Sequence, residues 1–260
     1  MNYTPVEMMT IAASRALGND DVCFVGIGLP SAACNLARLS HAPDISLIYE
    51  SGTLCTKPDV LPLSIGDGEL CETALTTVSV PEMFRYWLQG GRITLGFLGG
   101  AQIDRFGNLN STAIGDYGKP KVRLPGSGGA TEIATSCGKI FIVMRQGPRS
   151  FVRNLDFLTS LGHGRTGTER RHLGICTQGP ALLVTDLCAM HPDAETKEFV
   201  VTSLHPGIER EQVRQNTGWR VRFAESVEVT APPTAAELET LRDLHARTAL
   251  AHGSSGGGSE

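Results

Sequence analysis

The sequence predicts an open α/β fold with a largely parallel sheet, flanking helices and hairpin insertions. Three segments begin with helix-capping signatures, and six short apolar runs bounded by glycine, proline or aspartate lie between them. Strand-like runs that alternate with helices in one chain are typical of layered α/β folds, in which crossover helices connect parallel strands.

The helices are predicted from their first turns. Thr4 precedes Pro5 and Glu7, a capping box with proline at the first helical position, and Gly18 is a typical helix stop. The pairs Ser79/Glu82 and Thr234/Glu237 repeat the capping spacing. The predicted helices therefore run from 4 to 18, from 79 to 90 and from 234 to about 252, and a fourth, apolar helix is expected over 30–39.

The predicted strands are the apolar runs 22–27, 45–49, 93–98, 139–144, 182–185 and 199–204. Residues 99–129 are dense in Gly, Asn and Asp, so we expect turns and short strands there. No repeat or linker divides the chain, and one domain is expected over 1–252. Residues 253–260 have the composition of a flexible Gly/Ser tail of the kind that cloning adds.

Composition excludes several classes of protein. With 260 residues, 23 basic and 27 acidic, the formal charge of −4 gives no field suited to nucleic acid or an anionic membrane. The longest uncharged apolar run, 93–103, is far shorter than the roughly 20 residues that span a bilayer. The beginning of the chain lacks the pattern of a secretory signal, so a cytoplasmic protein is expected. The seven cysteines show no metal-ligand spacing and are expected to be reduced.

The turn at Gly26 and Gly28 follows the first strand and partly matches a dinucleotide-binding fingerprint. Glu50 even lies 22 residues after Gly28, where an acid that binds the ribose is expected. However, Ser31 replaces the third glycine and Pro30 occupies the turn over which a pyrophosphate would lie, which disfavours NAD binding. The backbone N–H groups there either stabilise negative charge or belong to a plain connection.

Glu50 is a candidate functional carboxylate. It ends an apolar strand and is followed by Ser51 and Gly52. In open α/β sheets, ligands bind at the carboxyl ends of the strands. The alternative is a solvated strand end.

A glycine loop, Gly126-Ser127-Gly128-Gly129-Ala130, precedes a short helical start. No Gly-Lys-Ser/Thr follows, so it is not a P-loop. Such a loop either presents N–H groups to an oxyanion or is a flexible surface turn. Asn108 likewise either lines a site or satisfies a hairpin turn. The basic, glycine-rich segment 162–174 is interpreted as a mobile surface segment rather than a phosphate clamp.

Several sequence motifs occur along the chain in the same order as in one known protein family, and together they identify the resemblance. The chain resembles the β subunit of class I coenzyme A transferases, and within them the glutaconate enzyme most of all. The similarity extends to about residue 230. The blocks that carry it are Gly26-Ile27-Gly28-Leu29-Pro30, Glu50-Ser51-Gly52, Gly99-Gly100-Ala101-Gln102-Ile103-Asp104, Asn110-Ser111-Thr112, Ile114-Gly115-Asp116-Tyr117 and the glycine loop 126–130.

The resemblance implies a CoA-transferase/ribose-phosphate-isomerase-like fold and a separate α subunit, in a heterodimer that assembles to a heterotetramer or larger. It implies that Glu50 is the catalytic glutamate and that coenzyme A is both substrate and covalent intermediate, with no permanently bound cofactor and no metal. The residues expected to bind substrate or stabilise an oxyanion are Gly28, Asn108, Ser127, Gly128, Gly129 and Ala130.

The implied reaction moves CoA from an acyl-CoA to a carboxylic acid, of dicarboxylic or oxo type, through a glutamyl-CoA thioester on Glu50. Relatives with this fold also act as hydrolases or decarboxylases, in which the glutamate is replaced. Because Glu50 is retained here, transfer is favoured. A non-catalytic partner subunit is the remaining alternative.

Overall fold

The computed structural model describes residues 2–253, so all but the first residue of the expected Gly/Ser tail lies outside the described residues. The chain divides into two compact units. One unit combines the chain up to Met83 with the chain from Pro233 onward, and the other is Phe84–Pro232. One domain over 1–252 stays a prediction, because two compact units can still fold as one cooperative body.

The helices are α1 (Pro5–Arg15), α2 (Leu29–Leu39), α3 (Gly68–Glu72), α4 (Val80–Glu82), α5 (Ala130–Ser136), α6 (Glu169–His172), α7 (Arg210–Gln215) and α8 (Ala235–Ala251). The strands are β1 (Val22–Phe24), β2 (Ser46–Ile48), β3 (Thr53–Leu54), β4 (Thr76–Thr77), β5 (Leu95–Leu98), β6 (Gln102–Ile103), β7 (Leu109–Asn110), β8 (Ala113–Ile114), β9 (Val122–Arg123), β10 (Lys139–Val143), β11 (Gly179–Val184), β12 (Cys188–Pro192), β13 (Phe199–Leu204) and β14 (Arg222–Val229).

The capping predictions are confirmed at both ends of the first unit. At α1, the Thr4 hydroxyl accepts the Glu7 N–H at 3.2 Å, and the Glu7 carboxylate accepts the Thr4 N–H at 2.7 Å. Thr234 and Glu237 repeat this exchange at α8. Each box satisfies two N–H groups that a helix end leaves without a partner.

In the first unit, β1 and β2 pair in parallel, with Phe24 opposite Ile48. Helices α1, α2 and α8 contact one another. Their shared apolar core consists of Ile11, Ala32, Leu36, Leu61, Leu238, Leu241 and Leu244. Fully burying one such side chain is worth about 1.5–3 kcal/mol, so this cluster holds α8 in place.

In the second unit, the strand order is β14-β13-β12-β11-β10-β5. Strand β10 is parallel to both β5 and β11, and β14 is parallel to β13, while β12 is antiparallel to both of its neighbours. Every predicted strand is present, and parallel pairs predominate, which confirms the predicted sheet. Strands β12 and β14 were not expected, since neither shows a clean apolar pattern.

The predicted hairpin insertions are also present. Strands β6 and β7 pair antiparallel, as do β8 and β9, within the stretch 99–129. A third two-stranded pair, β3 with β4, lies in the first unit.

The predicted helix over 79–90 has a different geometry after its first turn. Ser79 caps α4, and the chain from Met83 to Leu88 is then a π-helix. The N–H groups of Gln89 and Arg92 donate five residues back, to Phe84 and Trp87, rather than four. No spacing of apolar residues distinguishes the two kinds of turn in advance.

The interpretation of 162–174 as a mobile surface segment is wrong for its interior. His163 is 3% exposed and Arg170 is 6% exposed. The Arg170 guanidinium donates to the carbonyls of Ala134 and Gly162, at 3.1 Å each, and to the Thr177 hydroxyl at 2.5 Å. The buried Arg170 cation therefore attaches this segment to α5 and to the connection that precedes β11.

All seven cysteines are free thiols, as expected, and four of them are buried. None of the helices within residues 2–253 is long and apolar enough to cross a membrane.

Candidate active site

Glu50 lies at the tip of a closed turn in the first unit. After β2, the Tyr49 N–H donates to the carbonyl of Thr53 at 3.1 Å, and the Gly52 N–H donates back to the carbonyl of Tyr49 at 2.9 Å. Both hydrogen bonds use the backbone of Tyr49, whose N–H donates in the first and whose carbonyl accepts in the second. Glu50 and Ser51 are thus the two central residues of the turn, and Glu50 is half-buried.

Gly52 is required by the geometry of this turn. Its φ of +106° is strained for any other residue type, and a Cβ built there would overlap the carbonyl oxygen of Val78. The close approach is a hydrogen bond, because the Val78 N–H donates to the Gly52 carbonyl at 2.9 Å. The Glu50 turn is therefore fastened to the chain that follows β4.

Gly28 and Glu50 lie at the same sheet edge. Beyond the paired strands, the Val25 N–H still donates to the Ile48 carbonyl at 2.9 Å, so both chains leave the carboxyl ends of β1 and β2 side by side. Gly28, at φ +83°, precedes α2, and its carbonyl accepts the Ala32 N–H at 3.0 Å. The structure thus brings these two predicted residues to one edge.

Two hydroxyl groups close to Glu50 in the chain have no partner among the described residues. Within residues 2–253, the Ser51 Oγ and the Thr53 Oγ1 are buried without a hydrogen bond. Leaving a buried polar group unsatisfied costs about 1–3 kcal/mol, and such groups in native proteins call for an explanation. Polar hydrogen-bonding capacity is therefore concentrated beside the carboxylate.

The glycine loop lies in the second unit and is held at its first residue. The Gly126 N–H donates to the Ser111 carbonyl at 2.8 Å, and the Ser111 hydroxyl donates to the Gly126 carbonyl at 2.8 Å. Gly126 and Gly128 have φ values of +100° and +47°, the left-handed region that favours glycine. At the far end, the Ala130 N–H donates to the Ser127 carbonyl at 2.8 Å and starts α5.

Between these anchors the loop has free donors. The backbone N–H groups of Ser127, Gly128 and Gly129 donate to no protein acceptor in the described part of the chain. Thr131, just inside α5, donates its hydroxyl to the Thr159 carbonyl at 3.0 Å and so fixes the loop to a neighbouring segment. Fixed, unused N–H groups are what an oxyanion hole needs.

The Asn108 side chain forms hydrogen bonds that connect two segments of the chain. Its side-chain NH2 donates to the Asp104 carboxylate at 2.9 Å and to the Gly164 carbonyl at 2.7 Å, and its oxygen accepts the Gly162 N–H at 2.8 Å. It is 3% exposed, and both donor hydrogens are in use. That Asn108 orients reacting carboxyl groups stays a prediction, and in this chain the residue connects segment 162–164 to the β6–β7 turn.

A cavity of about 610 Å³ lies next to Asn108. One wall is the β6–β7 turn from Asp104 to Asn108, and the other is segment 153–158 together with Arg165. The side chains of Arg105, Arg153 and Arg165 line it. Burial raises the pKa of Asp104. Sequence reasoning did not single out this cavity, because its arginines are scattered along the chain.

Sequence reasoning also missed the contact between Tyr49 and Ser31. Their hydroxyl oxygens lie 2.8 Å apart and share a hydrogen bond, and both residues are fully buried. In the sequence, Tyr49 is simply the apolar end of a strand, and no pattern marks its partner. Metal ligation has no candidate here, since no group of three His, Cys, Asp or Glu residues is suitably placed within 2–253.

Comparison with known proteins identifies the family. The coenzyme A transferase family model matches residues 6–216. The chain is 63% identical over 255 residues to one subunit of the 3-oxoadipate CoA-transferase of Pseudomonas knackmussii, with 98% of each chain covered. It is 38% identical over 242 residues to one subunit of the glutaconate CoA-transferase of Acidaminococcus fermentans, with 90% of each covered. The crystal structure of the latter organism's glutaconate CoA-transferase superposes with a TM-score of 0.86 at 34% identity, covering 93% of this chain and 94% of that one.

Proposed function

This chain belongs to the coenzyme A transferase family, and we propose from that premise that it is the β subunit of a two-subunit enzyme that uses Glu50 as its nucleophile. Family membership and the CoA-transferase fold confirm the resemblance seen in the motifs. The observation that carries the proposal is the Glu50 turn, which fixes a carboxylate at the carboxyl ends of two parallel strands, where ligands bind in such sheets.

The proposed acceptor is 3-oxoadipate, a dicarboxylic oxo acid. The relative that shares 63% of its residues with this chain is named for that acid, whereas the relative named for glutaconate shares 38%. The sequence itself indicated a dicarboxylic or oxo acid without choosing between them. An α subunit is proposed as partner because both relatives are named as one subunit of a CoA-transferase rather than as the whole enzyme.

In the proposed reaction, a Glu50 carboxylate oxygen attacks the thioester carbonyl carbon of an acyl-CoA. The C–S bond breaks, giving an acyl–glutamyl anhydride and CoA thiolate. The thiolate then attacks the glutamyl carbonyl carbon, the donor acid leaves as its carboxylate, and a glutamyl-CoA thioester remains. The acceptor carboxylate runs the same steps in reverse, so that CoA leaves on the acceptor and Glu50 is regenerated.

Each attack places negative charge on a carbonyl oxygen, and fixed N–H donors stabilise such charge. The Ser51 hydroxyl, which has no hydrogen-bond partner within residues 2–253, offers such a donor next to Glu50. The backbone N–H groups of Ser127, Gly128 and Gly129, which are also unused within those residues, have the chemistry of such donors. That Gly28, Asn108 and residues 127–130 contact substrate or an oxyanion stays a prediction, as does the cytoplasmic location.

The test uses this chain assembled with its α subunit. The complex is incubated with acyl-CoA donors in the absence of acceptor, digested and analysed by mass spectrometry, and we expect CoA attached to the peptide that contains Glu50. The Glu50→Ala complex should form no adduct and show no turnover. Turnover with 3-oxoadipate as acceptor should exceed that with glutaconate.

Each alternative gives a different result. A hydrolase or decarboxylase would consume the thioester without any adduct on Glu50. A non-catalytic partner subunit would leave turnover unchanged in Glu50→Ala. An adduct on another residue would overturn the assignment of the nucleophile.

A further inference from the structure

A buried polar chain runs beneath the turn that carries Glu50. It starts at the Tyr49 hydroxyl, which shares a hydrogen bond with the Ser31 hydroxyl at 2.8 Å. One turn further along α2, the Asn35 side chain donates to the Ser31 carbonyl at 3.0 Å. The Arg38 guanidinium donates to the Asn35 side-chain oxygen at 3.1 Å and to the Pro58 carbonyl at 2.6 Å. Apolar packing alone does not require any of these polar side chains.

Tyr49 is the residue on which the Glu50 turn closes. Its backbone N–H and its backbone carbonyl form the two hydrogen bonds that close the turn, to Thr53 and from Gly52. The Tyr49 ring is fully buried, and its hydroxyl reaches Ser31 on α2. Fixing the Tyr49 ring therefore fixes the backbone from which Glu50 projects.

Ser31 lies on the neighbouring connection. It is in the first turn of α2, three residues after Gly28, whose carbonyl begins that helix. The hydroxyl pair thus joins the first turn of α2 to the base of the Glu50 turn. Ser31 is fully buried, so no solvent competes for its hydroxyl.

We propose that the Tyr49–Ser31 hydroxyl pair positions Glu50 for attack on the thioester, acting through the backbone of the turn. This inference rests on the proposed function of Glu50. Both hydroxyls are positioning groups, since neither is proposed to touch substrate. Burial raises the pKa of Tyr49 above its usual value, so the phenol keeps its proton at neutral pH and the hydrogen bond persists.

Loss of the hydrogen bond between Tyr49 and Ser31 should lower kcat more than it weakens the binding of acyl-CoA. Attack requires the carboxylate oxygen to lie about 3–3.5 Å from the carbonyl carbon, and a displacement of 1 Å can cost about 100-fold in rate. Binding of the distant parts of CoA does not depend on the position of the Glu50 carboxylate. A displaced turn should therefore lower kcat while KM for acyl-CoA stays nearly constant.

The experiment measures the single-turnover rate of Glu50–CoA formation in the complex with the α subunit, without acceptor, together with steady-state kcat and KM. Tyr49→Phe keeps the ring and removes only the hydroxyl. We expect a loss of about tenfold in the adduct rate and in kcat, with KM changed less than about twofold. Ser31→Ala, which removes the other oxygen, should give the same loss, and it serves if Tyr49→Phe does not assemble.

The double variant tests whether the two hydroxyls act as a pair. If they do, Tyr49→Phe/Ser31→Ala should be no more than about twofold slower than either single variant, because one shared hydrogen bond is lost only once. The matched control is Thr10→Val. It removes a buried hydroxyl that donates to the Val6 carbonyl at 2.8 Å in α1, and it should leave the adduct rate unchanged.

Wild-type adduct rates in Tyr49→Phe and Ser31→Ala would overturn the inference and leave the proposed function intact. So would losses that multiply in the double variant, or an equal loss in Thr10→Val. Absence of any Glu50 adduct in the wild-type complex would instead overturn the proposed function, and the positioning role with it.

Discussion

The backbone N–H of Val78 donates to the carbonyl of Gly52 at 2.9 Å, at a point where any side chain on Gly52 would overlap the Val78 oxygen. Gly52→Ala is therefore expected to displace the Glu50 turn. Left-handed strain of this kind costs about 1–3 kcal/mol, and we expect a loss of that size in the free energy of unfolding, measured with urea. Turnover should fall as well, because Glu50, the proposed nucleophile, moves with the turn.

The control for this variant is Gly68→Ala. Gly68 is the first residue of α3, and a Cβ built there meets no atom within 4 Å. Its unfolding free energy and turnover should remain at wild-type values. If Gly52→Ala behaved like Gly68→Ala, the turn would be more adaptable than its contacts indicate.

The glycine loop is tested by Gly128→Ala. Gly128 has φ +47° and open space around its Cα, so alanine fits sterically but strains the backbone whose N–H groups are unused. Removing one oxyanion donor commonly costs about 100- to 1,000-fold in kcat, and misdirecting one should cost at least about tenfold. Steady-state kinetics of the assembled complex give the values.

Gly207→Ala provides the comparison for backbone strain alone. Gly207 has φ +82° and open space as well, but it lies outside the loop. It should lose stability to a similar extent while kcat per folded complex stays constant. Equal kcat losses in both variants would remove the support for an oxyanion role.

Arg170→Met tests the buried cation. The variant leaves the carbonyls of Ala134 and Gly162 and the Thr177 hydroxyl without their donor. The Thr177 hydroxyl still donates to the Thr135 carbonyl, so two buried carbonyls are left unsatisfied. Each costs about 1–3 kcal/mol, so the total loss in unfolding free energy should be about 2 kcal/mol or more. Arg171→Met, at the exposed neighbouring residue, should change stability by less than about 0.5 kcal/mol. A similar small change in Arg170→Met would mean that water replaces the guanidinium.

His163 makes stability depend on pH. Burial, and to a lesser extent the charges of Arg170 and Lys197, lower its pKa from 6.5 to about 4. Between these values the unfolded chain binds a proton that the folded chain does not, so stability falls as pH falls from 6.5 to 4, by up to about 3 kcal/mol. His163→Gln can still donate to the Pro180 carbonyl but cannot titrate. Its stability should therefore fall less steeply over that window.

Urea unfolding at several pH values between 7 and 4 provides the comparison for His163. Glu7 and Glu237 have pKa values lowered to about 2 by hydrogen bonds to Arg242 and Arg15. Their contribution is lost below about pH 4.5, and it is the same in both proteins. Parallel stability curves for the two proteins above pH 4.5 would show that the fold does not lower the pKa of His163.

Much of the fold could be predicted because its signals are local. Thr4 with Glu7, and Thr234 with Glu237, satisfy helix N–H groups within one turn, and an apolar run between glycines indicates a buried strand without reference to any distant partner. Glu50 was singled out as a candidate in the same way, from its place after a strand and before Gly52, while its catalytic role is implied by the family resemblance and stays a prediction.

The remaining features depend on distant partners. The task of Asn108 is set by Gly162 and Gly164, more than fifty residues away, and burial of Arg170 depends on a carbonyl of Ala134. The Ser31 hydroxyl that Tyr49 meets is eighteen residues before it and carries no pattern of its own. Polar residues whose partners come from elsewhere in the fold look alike in the sequence, whether they catalyse, connect two segments or face solvent.

The core of the first unit combines residues that are synthesised early with residues that are synthesised late. Leu238, Leu241 and Leu244 of α8 pack with Ile11 of α1 and Leu36 of α2, yet residues 84–232 are translated between them. A ribosome therefore releases the glycine loop and its whole unit before the helix that completes the packing around the Glu50 unit. The packing around the unit that carries Glu50, the proposed nucleophile, is therefore complete only after residues 235–251 have emerged from the ribosome.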